Sequence, residues 1–214
     1  MTSSSASGQP GFASSTDQPG TQTLAYYDNN ARAFSDSTVN VEFSSMHERF
    51  EALLSPGARI LDFGCGSGRD AKHFADAGYQ VTAIDGSAEL CRLARIHTGL
   101  PVRHELFQDL ADVEAYDAIW ACSSNLHLPK RELPDVLAKM ARAVVPGGVI
   151  YTSFKLGSFE GMRNGRYFTD LTEPAFKELL SQVEGLSVEQ CWTTSDVRPG
   201  RDAEQWLNLV LRKA

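Results

Sequence analysis

The chain has 214 residues, 42% of them hydrophobic, and a formal net charge of −7. That length and apolar content suit one domain with a substantial core better than two, and the acidic balance opposes binding to a nucleic-acid backbone. No apolar run approaches the roughly 18–20 residues needed to cross a bilayer, so no membrane partner is expected.

Residues 1–23 are mostly Ser, Gly, Thr, Gln and Pro with few large apolar side chains, and are expected to remain a disordered tail. The first basic residue is Arg32, so the N-terminus lacks the charged start of a signal peptide. A single domain is expected over 24–214. Its first element is a helical region carrying Ala31, Phe34, Phe43, Met46 and Phe50 at helical spacing, stopped by Pro56-Gly57. Strands and helices then alternate. Arg59–Phe63 reads as a strand, Arg69–Ala77 as a helix ended by Gly78, and Val81–Asp85 as a second strand. Ser87 is placed to cap the next helix, which runs through Leu90, Leu93 and Ala94. Val102–Phe107 and Tyr116–Ala121 follow as the third and fourth strands, then a helix over Leu133–Ala143, a fifth strand over Val149–Phe154 and a helix over Glu173–Ser181. The last two runs, Leu186–Thr193 and Trp206–Leu211, have only a polar loop between them and should pair antiparallel. Four scattered cysteines, Cys65, Cys91, Cys122 and Cys191, lack metal-type spacing and read as buried thiols in a reducing cytoplasm. No metal is expected.

The densest signal is Asp62-Phe-Gly-Cys-Gly-Ser-Gly68 at the end of the first strand, followed by Asp85 at the end of the second. Glycines let the backbone turn sharply and approach a ligand closely. An acid at a strand tip can accept from two ribose hydroxyls at once, so the pair of tips describes a site for a nucleoside-containing cofactor. A dinucleotide fingerprint needs G-x-G-x-x-G. Counting from Gly64, its third glycine would fall where Arg69 stands, so a nicotinamide-dependent oxidoreductase is the second reading.

The D-x-G-x-G-x-G pattern resembles the first motif of the class I S-adenosylmethionine-dependent methyltransferases. That resemblance implies an α/β, Rossmann-like fold: a seven-stranded, mostly parallel sheet with an antiparallel last strand and helices on both faces. It further implies that S-adenosylmethionine is the cofactor. The backbone from Gly64 through Cys65 and Gly66 to Gly68 would offer N–H groups to its carboxylate, Asp62 would receive its ammonium, and Asp85 would take its ribose. Gly86 and Leu90 would flank the adenine, and Leu106, Phe107 and Gln108 would close over it. The backbone of Trp120 and Ala121 would run beside the methionine chain. Tyr26 and Tyr27 resemble the aromatic N-terminal segment that covers the cofactor in many small-molecule methyltransferases.

The stretch Ala121-Cys-Ser-Ser124 departs from the [D/N]-P-P-[Y/F] motif of enzymes acting on DNA adenine or glutamine, and Cys122 lacks the preceding proline of the cytosine-C5 enzymes. A small-molecule acceptor is therefore expected. His127, just past the fourth strand, is the candidate general base for an acceptor that must lose a proton. Lys155, Arg163, Arg166, Tyr167, Arg198 and Arg201 together would suit a small anionic substrate. Tyr26-Tyr27, Leu126-His127 and Phe168-Thr169 give the chain a similarity to small bacterial methyltransferases of the tellurite-resistance type. A non-catalytic cofactor-binding scaffold is the third reading.

Overall fold

A computed structural model describes residues 19–198 and 200–214 of the chain. Two helices come first, α1 (Pro19–Thr38) and α2 (Ser44–Glu51). The alternating region contains β1 (Arg59–Phe63), α3 (Arg69–Asp76), β2 (Gln80–Asp85), α4 (Ala88–Thr98), β3 (Val102–His104) and β4 (Tyr116–Ala121). It continues with α5 (Leu133–Ala143), β5 (Val144–Lys155), β6 (Glu160–Arg163), β7 (Arg166–Thr169), α6 (Glu173–Leu180), β8 (Leu186–Ser195) and β9 (Gln205–Lys213).

Seven strands form one sheet in the order β3-β2-β1-β4-β5-β9-β8. The first five run parallel, while β9 lies antiparallel to both β5 and β8. The expected reversed final strand is there. Alternation along the strands divides the core between two faces. Leu61, Phe63, Ile119, Ile150 and Phe154 pack with Leu137 and Met140 of α5 and Phe176 of α6. Their neighbours Ile60, Ala118, Trp120, Val149 and Tyr151 pack instead with Met46 and Phe50 of α2 and Phe74 of α3. Helices thus cover both faces, which is why the central strands read as continuous apolar runs.

Local chemistry sets the helix ends. The Ser87 hydroxyl accepts from the Leu90 N–H at 3.2 Å, as its N-cap position predicts, and Gly99 ends α4 in the left-handed region at φ 71°. Thr172 caps α6 in the same way, with Pro174 in the first turn.

Three expectations need correction. The expected disordered tail extends through residue 23, but Pro19–Thr23 belong to α1, where Thr23 is buried and its hydroxyl accepts from the Tyr167 N–H at 2.9 Å. The rest of the tail, residues 1–18, lies outside the described residues. The third strand stops at His104, because Phe107–Asp109 turn into a short 3-10 helix that seats Phe107 against Phe63 at 4.5 Å between ring centroids. Finally, residues 160–169, expected as a loop, form the β6–β7 hairpin. Its turn is Asn164-Gly165, both at positive φ (52° and 78°), the backbone that a two-residue hairpin turn requires.

Candidate active site

Strand order reverses at β1, which has β2 on one side and β4 on the other. Ligands in open α/β sheets sit beyond the carboxyl ends of the strands at such a point. Here a cavity of about 490 Å³ opens there, roofed by α1 and extending to the β6–β7 hairpin and the β8–β9 connection.

The cofactor end of this cavity is built on β1 and β2. Gly64, Gly66 and Gly68 all have positive φ (87°, 55° and 80°), so the loop is a backbone surface curled over the strand tips. A Cβ at Gly64 would lie 2.6 Å from the Ser124 Cβ, and one at Gly66 would lie 3.1 Å from the Phe34 ring. The Asp85 carboxylate fastens this loop to β2: Oδ2 accepts from the Gly66 N–H at 2.9 Å and Oδ1 from the Ser87 N–H at 2.8 Å. Burial raises the Asp85 carboxyl above its ordinary value, against the opposing pull of those two bonds. Each oxygen keeps an accepting position for a ligand hydroxyl.

Two further acids lie behind the loop and titrate in opposite directions. Asp62 is buried and its Oδ2 has no hydrogen-bond partner. Burial, followed by the nearby Asp70 charge, pushes its carboxyl well above the usual carboxylate range. Asp70 is also buried, but it accepts from His47 Nε2 (2.8 Å), Trp120 Nε1 (2.8 Å) and both Arg69 Nε and a terminal nitrogen (2.6 and 2.9 Å). Burial alone would raise it; the Arg69 charge and the His47 bond outweigh that and hold it well below. Sequence reasoning missed Asp70, since a lone acid in the first turn of a helix carries no pattern of its own.

The other end of the cavity is assembled from distant segments. On α1, Asp28 accepts from the Ser87 hydroxyl at 2.6 Å, which ties the helix over β2. One residue earlier, the Tyr27 hydroxyl donates to His127 Nε2 at 2.7 Å. The His127 Nδ1–H donates to the Tyr167 carbonyl, also at 2.7 Å. A carbonyl can only accept, so the proton sits on Nδ1 and Nε2 is the accepting nitrogen. Burial lowers His127 to about 4, leaving it neutral near pH 7. Burial likewise raises the Tyr27 phenol, against the pull of Arg166. Arg166 donates to the Tyr27 oxygen at 3.4 Å and lies over the rings of Tyr26, Tyr27 and Phe168, at 4.8, 5.8 and 5.2 Å from their centroids.

The sequence-predicted residues therefore fall into two groups. Tyr27, Gly64, Cys65, Gly66, Asp85, Gly86, Leu90, Leu106, Phe107, Gln108 and His127 all border the cavity. Tyr26, Asp62, Gly68, Trp120 and Ala121 do not line it. Asp62 lies under the loop, and the Trp120 ring points away to bond Asp70 and stack on Tyr151 at 4.1 Å. The Trp120 and Ala121 side chains are fully buried core, and the strand's contribution to the cavity begins one residue later at Cys122. Gly68 sits against α4, where a Cβ would meet Thr98 at 2.7 Å, and Tyr26 packs under Gly165 of the hairpin. His127, the candidate general base, borders the cavity with both ring nitrogens engaged, by Tyr27 and by the Tyr167 carbonyl. Among the described residues, no cluster of His, Cys, Asp or Glu could hold a metal ion, and no helix is long and apolar enough to cross a membrane.

Comparison with known proteins bears on the same region. Residues 60–148 match the family model described as "Methyltransferase domain". The chain is similar to a ubiquinone biosynthesis O-methyltransferase of Xanthomonas axonopodis pv. citri, 37% identical over 114 residues, covering 50% of this chain and 47% of that protein. It is also similar to a malonyl-[acyl-carrier protein] O-methyltransferase of Salmonella typhimurium, 35% identical over 112 residues, covering 50% of this chain and 43% of that protein. These matches span less than half the length of either relative. Among solved structures, the fold is shared with Burkholderia thailandensis 1,6-didemethyltoxoflavin-N1-methyltransferase bound to 1,6-didemethyltoxoflavin and S-adenosylhomocysteine. That likeness has a TM-score of 0.73 at 21% identity, covering 97% of this chain and 93% of the other. Magnesium protoporphyrin IX methyltransferase from Synechocystis with bound S-adenosylmethionine is similar at a TM-score of 0.72 and 15% identity, covering 94% and 100%. The Rossmann-like fold is shared with these solved structures, and the similarity to a methyltransferase domain lies in residues 60–148, which carry the glycine loop, Asp85 and β4.

Proposed function

We propose that this chain transfers a methyl group from S-adenosylmethionine to a small-molecule acceptor. One observation carries the reading: a positive-φ glycine loop pinned by Asp85 over β1 and β2, opening directly into a deep cavity. The residues fit the cofactor. Asp85 retains lone pairs for ribose hydroxyls, the loop's backbone is open to close approach, and the buried, unsatisfied Asp62 Oδ2 lies below it. The matched relatives and ligand-bound structures of this fold favour this reading over nicotinamide chemistry.

When bound, S-adenosylmethionine supplies a methyl group on a sulfonium, open to in-line attack by an acceptor lone pair. The chain's own work is then positioning and exclusion of water. Helix α1 roofs the site, held by Asp28 at β2 and by Thr23 at the hairpin. A proton leaving a neutral acceptor would meet the Tyr27 oxygen first, with His127 behind it to take the phenol's own proton. Tyr27 and His127 both border the cavity, and their hydrogen bond makes the pair the route for that proton.

Within this activity we assign the chain to the small bacterial tellurite-resistance-type group, on Tyr26-Tyr27, Leu126-His127 and Phe168-Thr169, and to the cytoplasm, on its four free thiols. The test is incubation with methyl-labelled S-adenosylmethionine and a panel of small acids, phenols, thiols and amines. Label in a small molecule with matching release of S-adenosylhomocysteine is expected. Label confined to protein or nucleic acid would overturn the assignment.

A further inference from the structure

Six cationic side chains border the cavity, and five of them have a carboxylate partner. Arg69 pairs with Asp70, Arg163 with Asp170 at 2.6 Å, Arg198 with Asp196 at 2.5 Å, and Lys155 and Arg201 both with Glu204. Arg166 is the sixth. Among the described residues its polar contact is the one to the Tyr27 oxygen, no carboxylate pairs with it, and its Nε–H is buried without a hydrogen-bond acceptor. Its surroundings are the rings of Tyr26, Tyr27 and Phe168 and the long contact to the Tyr27 oxygen. Ring faces offset part of a cation's lost hydration, but they supply no acceptor for an N–H. The covered Nε–H shows how little the fold compensates this guanidinium, and an incoming anion would meet it through its terminal nitrogens from the cavity that Arg166 borders.

We propose that Arg166 is the anchor for a carboxylate on the methyl acceptor, and that the acceptor is a small planar aromatic acid. The assignment rests on the methyltransferase reading above. Guanidinium and carboxylate match as a planar fork, and the rings of Tyr26, Tyr27 and Phe168 surround the guanidinium. The ring system of such an acid would find Phe168 and Trp206 on the cavity wall. Arg166 is carried on β7, away from β1 and β2, where the glycine loop and Asp85 lie. The anchor is assigned to the acceptor rather than to the carboxylate of the cofactor, and the S-adenosylhomocysteine affinity of Arg166→Gln tests that choice.

Benzoate and its uncharged counterpart benzamide separate these possibilities. Each is titrated calorimetrically into protein saturated with S-adenosylhomocysteine, for the wild type, Arg166→Gln and Arg166→Lys. Benzoate should bind the wild type at least about tenfold more tightly than benzamide, as loss of a charge-assisted bond implies. Arg166→Gln should abolish that preference and leave S-adenosylhomocysteine affinity within about twofold, while Arg166→Lys keeps part of the preference. Equal binding of the two probes by the wild type, or no benzoate binding at millimolar concentration, would overturn the anchor. So would an unchanged preference in Arg166→Gln. Weakened S-adenosylhomocysteine binding in that variant would reassign Arg166 to the cofactor. Failure of S-adenosylhomocysteine to bind the wild type is a separate result, which sinks the methyltransferase reading itself.

Discussion

The two ends of the cavity are made by different means. At the cofactor end, the glycine loop and Asp85 come from the tips of two adjacent parallel strands and the turn between them and a helix, within residues 59–90. Backbone conformation does most of the work, and Asp85 both closes the loop and faces the ligand. At the acceptor end, Tyr27, His127 and Arg166 meet across sequence separations of 100 and 139 residues. No single segment there specifies the site; it exists only once α1, the turn after β4 and the β6–β7 hairpin have docked. One end is therefore set by local geometry and the other by tertiary assembly, and each should respond to substitution in its own way.

The largest effect is expected behind the cofactor end. Asp70→Ala removes the acceptor for Arg69, His47 and Trp120 together, and breaking a buried ion pair by deleting one partner costs about 3–5 kcal/mol. Denaturant unfolding should register a loss of that order. A loss below about 1 kcal/mol would mean that the network is not structural.

Next is Asp85→Ala, which should weaken S-adenosylhomocysteine binding by about 10–100-fold, from the roughly 1.5–3 kcal/mol of a hydrogen bond to a charged group. Because the carboxylate also holds the Gly66 and Ser87 N–H groups, some stability should fall with it. Unchanged affinity with a lower melting temperature would make Asp85 a loop fastener alone.

At the acceptor end the changes are smaller. Tyr27→Phe leaves His127 Nε2 without its donor and should cost about 1–3 kcal/mol of stability, with cofactor affinity nearly intact. An equal fall in both would join the two ends that the comparison separates. The smallest effect is a pH dependence. His127 is held at about 4, below its ordinary value, so between about pH 4 and 6.5 the unfolded chain binds more protons than the folded one. Its contribution is present above about pH 6.5 and is lost as pH falls towards 4. His127→Gln should flatten that part of the stability profile. An identical slope in wild type and variant would assign the dependence to other groups.

The same contrast explains what was legible in the sequence. Asp62-x-Gly-x-Gly-x-Gly68 and Asp85 could be read because their roles depend on nearby backbone. The antiparallel pairing of β8 with β9 could be read because their connection has no room for a helix, and the mostly parallel sheet followed from the family resemblance. The hairpin is carried by the Asn164-Gly165 turn signal, but its strands are only four residues each and rich in charge, so alternation along them is weak. His127 was located by its strand-end position, but its commitment to Tyr27 and Tyr167 depends on partners far away in the chain. The boundary at residue 23 erred because composition alone does not reveal that Thr23 docks on β7.

The central claim is that the glycine loop and Asp85 form a site for an S-adenosyl cofactor. Calorimetric titration of the wild-type protein with S-adenosylhomocysteine, and separately with NAD, tests it most directly. One site per chain for S-adenosylhomocysteine and no heat with NAD is the predicted result. Binding of NAD with none of S-adenosylhomocysteine would contradict the account.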